Sequence, residues 1–218
     1  GDGAGTEIGL LAGKAGGNAI ISNITLTNSS VVEAGVATGF ASRGGLVGTL
    51  GDGTSADTTV CAAGFSIQDS TINGITITNS NIERVGGAVG RIRSTNCAIS
   101  NISASGIAIT GKLQVGGILG ADQGGSIFSG LRVLSGTVSS SFAGSVNMGG
   151  VVGELSGAAS SITLSSSAAT VTGGATSDYV GGLIGTIQAG TISRSYATGA
   201  VSGRSYIGGF AGQLRPAI

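Results

Sequence analysis

The feature that most constrains this chain is a short glycine-bearing phrase that recurs seven times. It reads IGLLAG ending at Gly13, RGGLVG at Gly48, VGGAVG at Gly90, VGGILG at Gly120, MGGVVG at Gly153, VGGLIG at Gly185 and IGGFAG at Gly212. Subtracting successive end positions gives intervals of 35, 42, 30, 33, 32 and 27 residues. A period of this size marks a stacked repeat, because one such unit cannot bury its own apolar face and needs neighbours to do so.

Between the phrases the pattern is that of short strands. One column is apolar throughout, Ile21, Ile72, Ile99, Phe128, Ile162 and Ile192, and the next position is polar, Ser22, Asn73, Ser100, Ser129, Thr163 and Ser193. In the early copies Ile24, Ile75, Ile102 and Leu131 follow, then Leu26, Ile77, Ala104 and Val133. A third column runs through Val31, Ile82, Ile109, Val138, Val171 and Val201. Alternation with a period of two predicts half-buried strands, and no stretch has helical periodicity. The expected fold is all-β: a right-handed parallel β-helix (β-solenoid) of about seven coils with three short strands per coil, one domain over residues 1–218. Strands stacked at about 4.8 Å would pair each coil with the next. A propeller is the runner-up, but its blades take about 40 residues or more, and the interval from Gly185 to Gly212 is 27.

Composition agrees with such a fold. The 218 residues include 44 glycines, one proline, no tryptophan and eight other aromatics, five Phe and three Tyr, so the core must be Ile, Val, Leu and Ala. Ten basic and ten acidic residues cancel, and no basic stripe marks a nucleic-acid partner. The absence of histidine removes the commonest general base and metal ligand. No apolar run reaches the roughly 18 to 20 residues of a membrane helix, so membrane insertion is not expected. Without an initiator Met or a signal pattern at Gly1, the chain reads as a mature product or an excised segment.

The phrases VGGLIG, TISRSYATGAVSG and YIGGFAG resemble the Glug motif, most closely over residues 180–212, recognisably from about residue 116, and more weakly in the first half. The resemblance implies repeats of large bacterial cell-surface or secreted proteins, often adhesins, and it carries no catalytic residue.

Candidate chemistry is sparse. Asp122 and Glu154 follow the glycine phrase at adjacent offsets in neighbouring coils and make the best carboxylate pair for a carbohydrate-active enzyme. No aromatic platform lies near them in sequence, and solvated surface carboxylates are the better reading. The insertion over 51–64, GDGTSADTTVCAAG, interrupts the repeat and is a natural binding loop. Asp52 and Asp57 within it are candidate ligand contacts, although a calcium-loop spacing is missing. Arg84, Arg91 and Arg93 form a basic cluster suited to an acidic glycan, with a solvated face as the plainer reading. Cys61 could reach Cys97 on the next coil as a disulfide, or both could be thiols. The pairs Thr25 with Thr27 and Thr76 with Thr78 are similar to flat ice-binding ladders, but the ladder is expected to lapse at Ser103, Ser105, Arg132 and Leu134.

The sequence therefore points to a non-enzymatic extracellular structural or adhesive segment of a cell-surface or secreted protein, without catalytic residues, metal or cofactor. Its expected partner is a host or matrix glycan or protein surface. A head-to-tail filament of identical subunits stacked end to end and a carbohydrate-active β-helix enzyme are the alternatives.

Overall fold

The computed structural model describes residues 7–32, 41–51, 61, 65–78, 81–140, 142–144, 146–174 and 179–215. Its described residues contain strands and no helix. The strands pair in parallel from coil to coil and build four sheets that the chain visits in turn. Sheet A collects one strand per coil from Glu7–Gly9 to Ile207–Gly208, and sheet B from Ala12–Ala15 to Ala211–Leu214. Sheet C holds the two long strands Ser66–Asn73 and Ala98–Ser105, each opposed by two short strands in the neighbouring coils. Sheet D runs from Ser30–Val32 to Val201–Ser202. A β-solenoid is thus what the chain forms.

The coil differs in detail from expectation. Sheets A and B have seven strands each and sheet D six, so the described stack is six full turns closed by a partial one. Each turn has four sides rather than three strands, because the glycine phrase itself supplies two strands, one ending on the first glycine of its GG pair and one beginning three residues later. Sheet C is further bent by a column of residues in the left-handed region: Asn23, Asp69, Asn101, Gly130, Leu164 and Arg194 have φ between 48° and 66°. Asparagine, aspartate and glycine tolerate that conformation, which explains their recurrence there.

The register corrects the second copy of the repeat by five residues. Ile67, not Ile72, stands between Ile21 and Ile99. Ile72, not Ile77, stands between Leu26 and Ala104, and Ile77, not Ile82, between Val31 and Ile109. Ile67, Ile72, Ile77 and Ile82 recur every five residues, so a slip of five leaves the apolar pattern intact and only backbone pairing reveals it. The column of Ile24, Ile102 and Leu131 also contains Ser70 and Ser165, whose Oγ atoms accept from the N–H groups of Ile24 and Leu131 at 3.2 Å.

The glycine phrase has a steric origin. A Cβ on Gly86 would stand 2.1 Å from Val89 O and 2.6 Å from Ile118 O, and one on Gly90 2.7 Å from Arg43 N, so the backbones of sheets A and B meet without room for side chains. A Cβ on Gly87 would stand 2.1 Å from Gly117 O on the next rung. The two glycines of the pair therefore answer two different contacts, one across to sheet B and one up the stack. Val85, Val89, Ile92, Ile99, Ile102, Ile107 and Ile109 on one turn are all buried and join a core that continues through the neighbouring rungs.

Candidate functional site

Beyond the glycine contact, sheets A and B present two facing polar columns. Glu7, Ser42, Arg84, Gln114, Asn147 and Tyr179 stack on sheet A. Lys14, Thr49, Arg91, Ala121, Glu154, Thr186 and Gln213 stack on sheet B. Their side chains interlock across the gap. Lys14 Nζ lies 3.2 Å from Glu7 Oε2, and Arg91 Nη2 lies 3.8 Å from Glu7 Oε1. Gln114 Nε2 and Asn147 Nδ2 donate to Glu154 Oε2 at 3.2 and 2.6 Å, and Thr186 Oγ1 donates to Asn147 Oδ1 at 3.0 Å. At the far end Tyr179 and Tyr206 stack with ring centroids 5.1 Å apart.

This seam is mostly closed to solvent, which overturns the expectation of a solvated basic face for two of its arginines. Arg84 and Arg91 are 7% and 2% exposed, while Arg93 is half-buried. Burial pushes Arg91 down to about 10, reinforced by repulsion from Arg84 and Arg93 and opposed by Glu7 and Glu83. Burial likewise lowers Arg84, against the attraction of Glu83, whose Oε2 lies 2.8 Å from Arg84 Nη1. Arg43, which sequence reasoning passed over, is also buried, in a column otherwise made of Ile8, Val85, Val115, Met148, Val180 and Ile207.

Asp122 and Glu154 do not form a pair. Glu154 is level with Ala121 and points into the seam, whereas Asp122 is level with Leu155 and takes an interior position held in other rungs by Leu50 and Ile92. Asp122 accepts from the N–H groups of Gly124, Gly125 and Ser126 at 3.2 to 3.4 Å and from the hydroxyls of Ser126 and Ser160. Burial raises its carboxyl above the ordinary aspartate value, and those hydrogen bonds pull the other way. The sequence led to the expectation of solvated surface carboxylates, but both residues are buried. Tyr179 stands one rung above Asn147, which donates to Glu154, a placement that sequence spacing concealed.

Asp52 and Asp57 lie outside the described residues. Cys61 and Cys97 are bonded, with Sγ atoms 1.98 Å apart, and tie the end of the insertion to the following turn. Among the described residues no group of three His, Cys, Asp or Glu side chains is arranged to hold a metal ion, and no helix is long and apolar enough to cross a membrane.

The outer face of sheet D corrects the threonine pairing. Thr25 is level with Thr71 on sheet C, while Thr76 and Thr78 belong to sheet D beside Ala108 and Thr110. On sheet D the column of Thr78, Thr110, Ser139 and Thr172 keeps its hydroxyls, whereas the column of Thr76, Thr137 and Thr170 is interrupted at Ala108.

The residues from 176 to 202 match the GLUG motif. The chain is a repeat protein that contains a GLUG motif. The matched stretch includes the sheet A strand Tyr179–Gly181, its sheet B successor Ile184–Ile187, the sheet C strands and the sheet D strand Val201–Ser202, so one GLUG unit is one turn of the solenoid. The chain is also similar to halomucin of Haloquadratum walsbyi, 34% identical over 175 residues that cover 76% of this chain and 2% of that protein. It thus spans a small fraction of the length of the curated relative it matches. No solved structure matches it.

Proposed function

We propose that the chain is a structural segment of a cell-surface or secreted protein, a rigid rod that spaces and presents polar faces and makes weak adhesive contacts. The observation that carries this reading is the unbroken parallel register of four sheets along the stack. Each backbone ladder continues from rung to rung, so bending the rod would stretch many hydrogen bonds together. The outward columns of sheets C and D are rich in Ser and Thr, which offer many weak hydrogen-bonding contacts that repetition can multiply. The likeness to halomucin supports a surface or secreted setting for the rod. An enzymatic reading lacks support, since its two best carboxylates point to different surroundings. Arg93 at the seam edge and the insertion bearing Asp52 and Asp57 remain the proposed places for a glycan or protein contact. Binding of the chain to an array of acidic and neutral glycans tests the adhesive part: retention that repeats across related glycans supports it, and no retention above a glycine-rich control protein removes it.

A second reading, stacking of identical copies end to end, draws on Gly209. The equivalent glycines Gly45, Gly87, Gly117, Gly150 and Gly182 each face a carbonyl of the next rung at 2.1 to 2.2 Å from a built Cβ, whereas Gly209 meets nothing within 4 Å. Its position is fitted to a further rung, which the same polypeptide or another copy can supply. Sedimentation of the chain across a concentration series separates the two, since growth of fibres with concentration requires copies.

A further inference from the structure

Most polar atoms of the seam find partners; apart from Gln114 Oε1, one rung above Arg91, the exceptions gather on two adjacent rungs. Ser42 Oγ, Thr49 Oγ1 and Arg91 Nε are buried with no hydrogen-bond partner among the described residues. Thr49 lies directly beneath Arg91, and Ser42 stands on the same rung as Thr49 in the facing column. Arg91 approaches Glu7, which is two rungs below it, or about 10 Å at the usual strand spacing. The side chains that meet there must cross the level of Ser42 and Thr49, two short residues.

Arg91 Nε can only donate, and the Ser42 and Thr49 hydroxyls can each donate one proton as well as accept. Each buried donor left without an acceptor keeps its full desolvation cost. Their surroundings are also positive: after burial, repulsion from Arg84 and Arg93 bears on Arg91 more strongly than the attraction of Glu7 and Glu83. Both oxygens of Glu7 are already engaged, one with Lys14 and one with Arg91. What fits is a species that accepts from several donors, carries negative charge and asks for no acceptor in return. A water molecule would have to place its own two protons. The exposure of Ser42 and Thr49 is 0% and that of Arg91 2%, so a sulfate or carboxylate attached to a larger ligand cannot reach them.

We propose that the seam binds one halide ion between the Ser42 and Thr49 hydroxyls and Arg91 Nε. The ion ties sheet A to sheet B where their facing side chains are shortest, and it makes the stability of the rod depend on the kind of anion as well as on ionic strength.

The test uses the whole chain unfolded by urea in mixtures of sodium bromide and sodium gluconate at constant ionic strength. Once bromide exceeds its dissociation constant, the unfolding equilibrium constant falls about tenfold for each tenfold rise in bromide. The variant Ser42→Ala with Thr49→Val, which keeps size and removes both hydroxyls, has opposite effects in the two salts. In gluconate it stabilises the chain, because two unmet donors are gone; in bromide it loses the anion dependence. A bromide peak in anomalous diffraction, between the three atoms of the native protein, is the independent readout. Equal stability in both salts, or a variant effect of the same sign in both, overturns the proposal and leaves the seam dry or holding an ordered water only.

Discussion

Replacing Gly87 by alanine tests the claim that the GG pair is there for backbone contact. The new Cβ would lie 2.1 Å from Gly117 O, and all atoms within 3.5 Å of it belong to the backbone of the next rung. The shortfall from an ordinary carbon to oxygen contact is about 1 Å, which side-chain rotation cannot relieve. The two rungs must separate locally. That strain alone costs about 1 to 3 kcal/mol, as in other overpacked cores. It also stretches the adjoining bonds from Ala88 N and Val89 N to Ile118 O, both 2.9 Å long, at about 1 kcal/mol each. Against this, alanine restricts the unfolded chain and returns about 0.5 kcal/mol. The expected net loss is about 3 kcal/mol. Gly209→Ala is the internal control, with the same place in the phrase and nothing within 4 Å of its Cβ; it should be neutral or stabilise by less than about 1 kcal/mol. Urea unfolding followed by far-ultraviolet circular dichroism reads both. Equal effects at the two sites would refute the steric account and assign the recurring glycine to some other cause.

Three further outcomes are expected. Asp122 has a folded carboxyl raised above its unfolded value, so the folded state holds the proton more tightly; its contribution to stability is greatest below the unfolded value of 3.8 and is lost as pH rises through the folded one. Asp122→Asn should flatten that part of a pH series, and Asp122→Ala should cost about 2 to 4 kcal/mol by leaving Ser160 and the loop N–H groups unpaired. Reducing Cys61 to Cys97, which closes a span of 36 residues, should remove about 4 kcal/mol by the loop-entropy relation, read as a lower thermal midpoint in dithiothreitol. Leu164→Asn should stabilise by about 1 kcal/mol, since an exposed leucine is held there in the left-handed region that its column neighbours fill with Asn, Asp and Gly; an unchanged urea midpoint would count against it.

Much of the fold was legible because a solenoid repeats its instructions. The phrase ending at Gly90, Gly120, Gly153 and Gly185 is the same contact made four times, and its recurrence is visible without coordinates. The count of sides per turn was harder to read, since two strands separated only by a glycine and one apolar residue look like one segment. The five-residue slip at Ile67 to Ile82 had a similar source: equal spacing of identical residues makes the wrong register as apolar as the right one. The candidate site was the least legible. Arg84, Arg91 and Glu154 look like surface charges, because charged residues seldom bury and nothing local in the sequence shows that the outer faces of sheets A and B meet.

By itself, then, the sequence determined that this chain is all-β, that its turns stack, and that its core is aliphatic, because these follow from local alternation and from a period that only stacking satisfies. The tertiary structure alone decided which residues share a column, that Asp122 turns inward while Glu154 enters the seam, and that Ser42, Thr49 and Arg91 come together. Those facts depend on pairing between residues about 30 to 40 positions apart, and the energy that selects one pairing over its neighbours resides in contacts between turns, where no single turn carries a record of it.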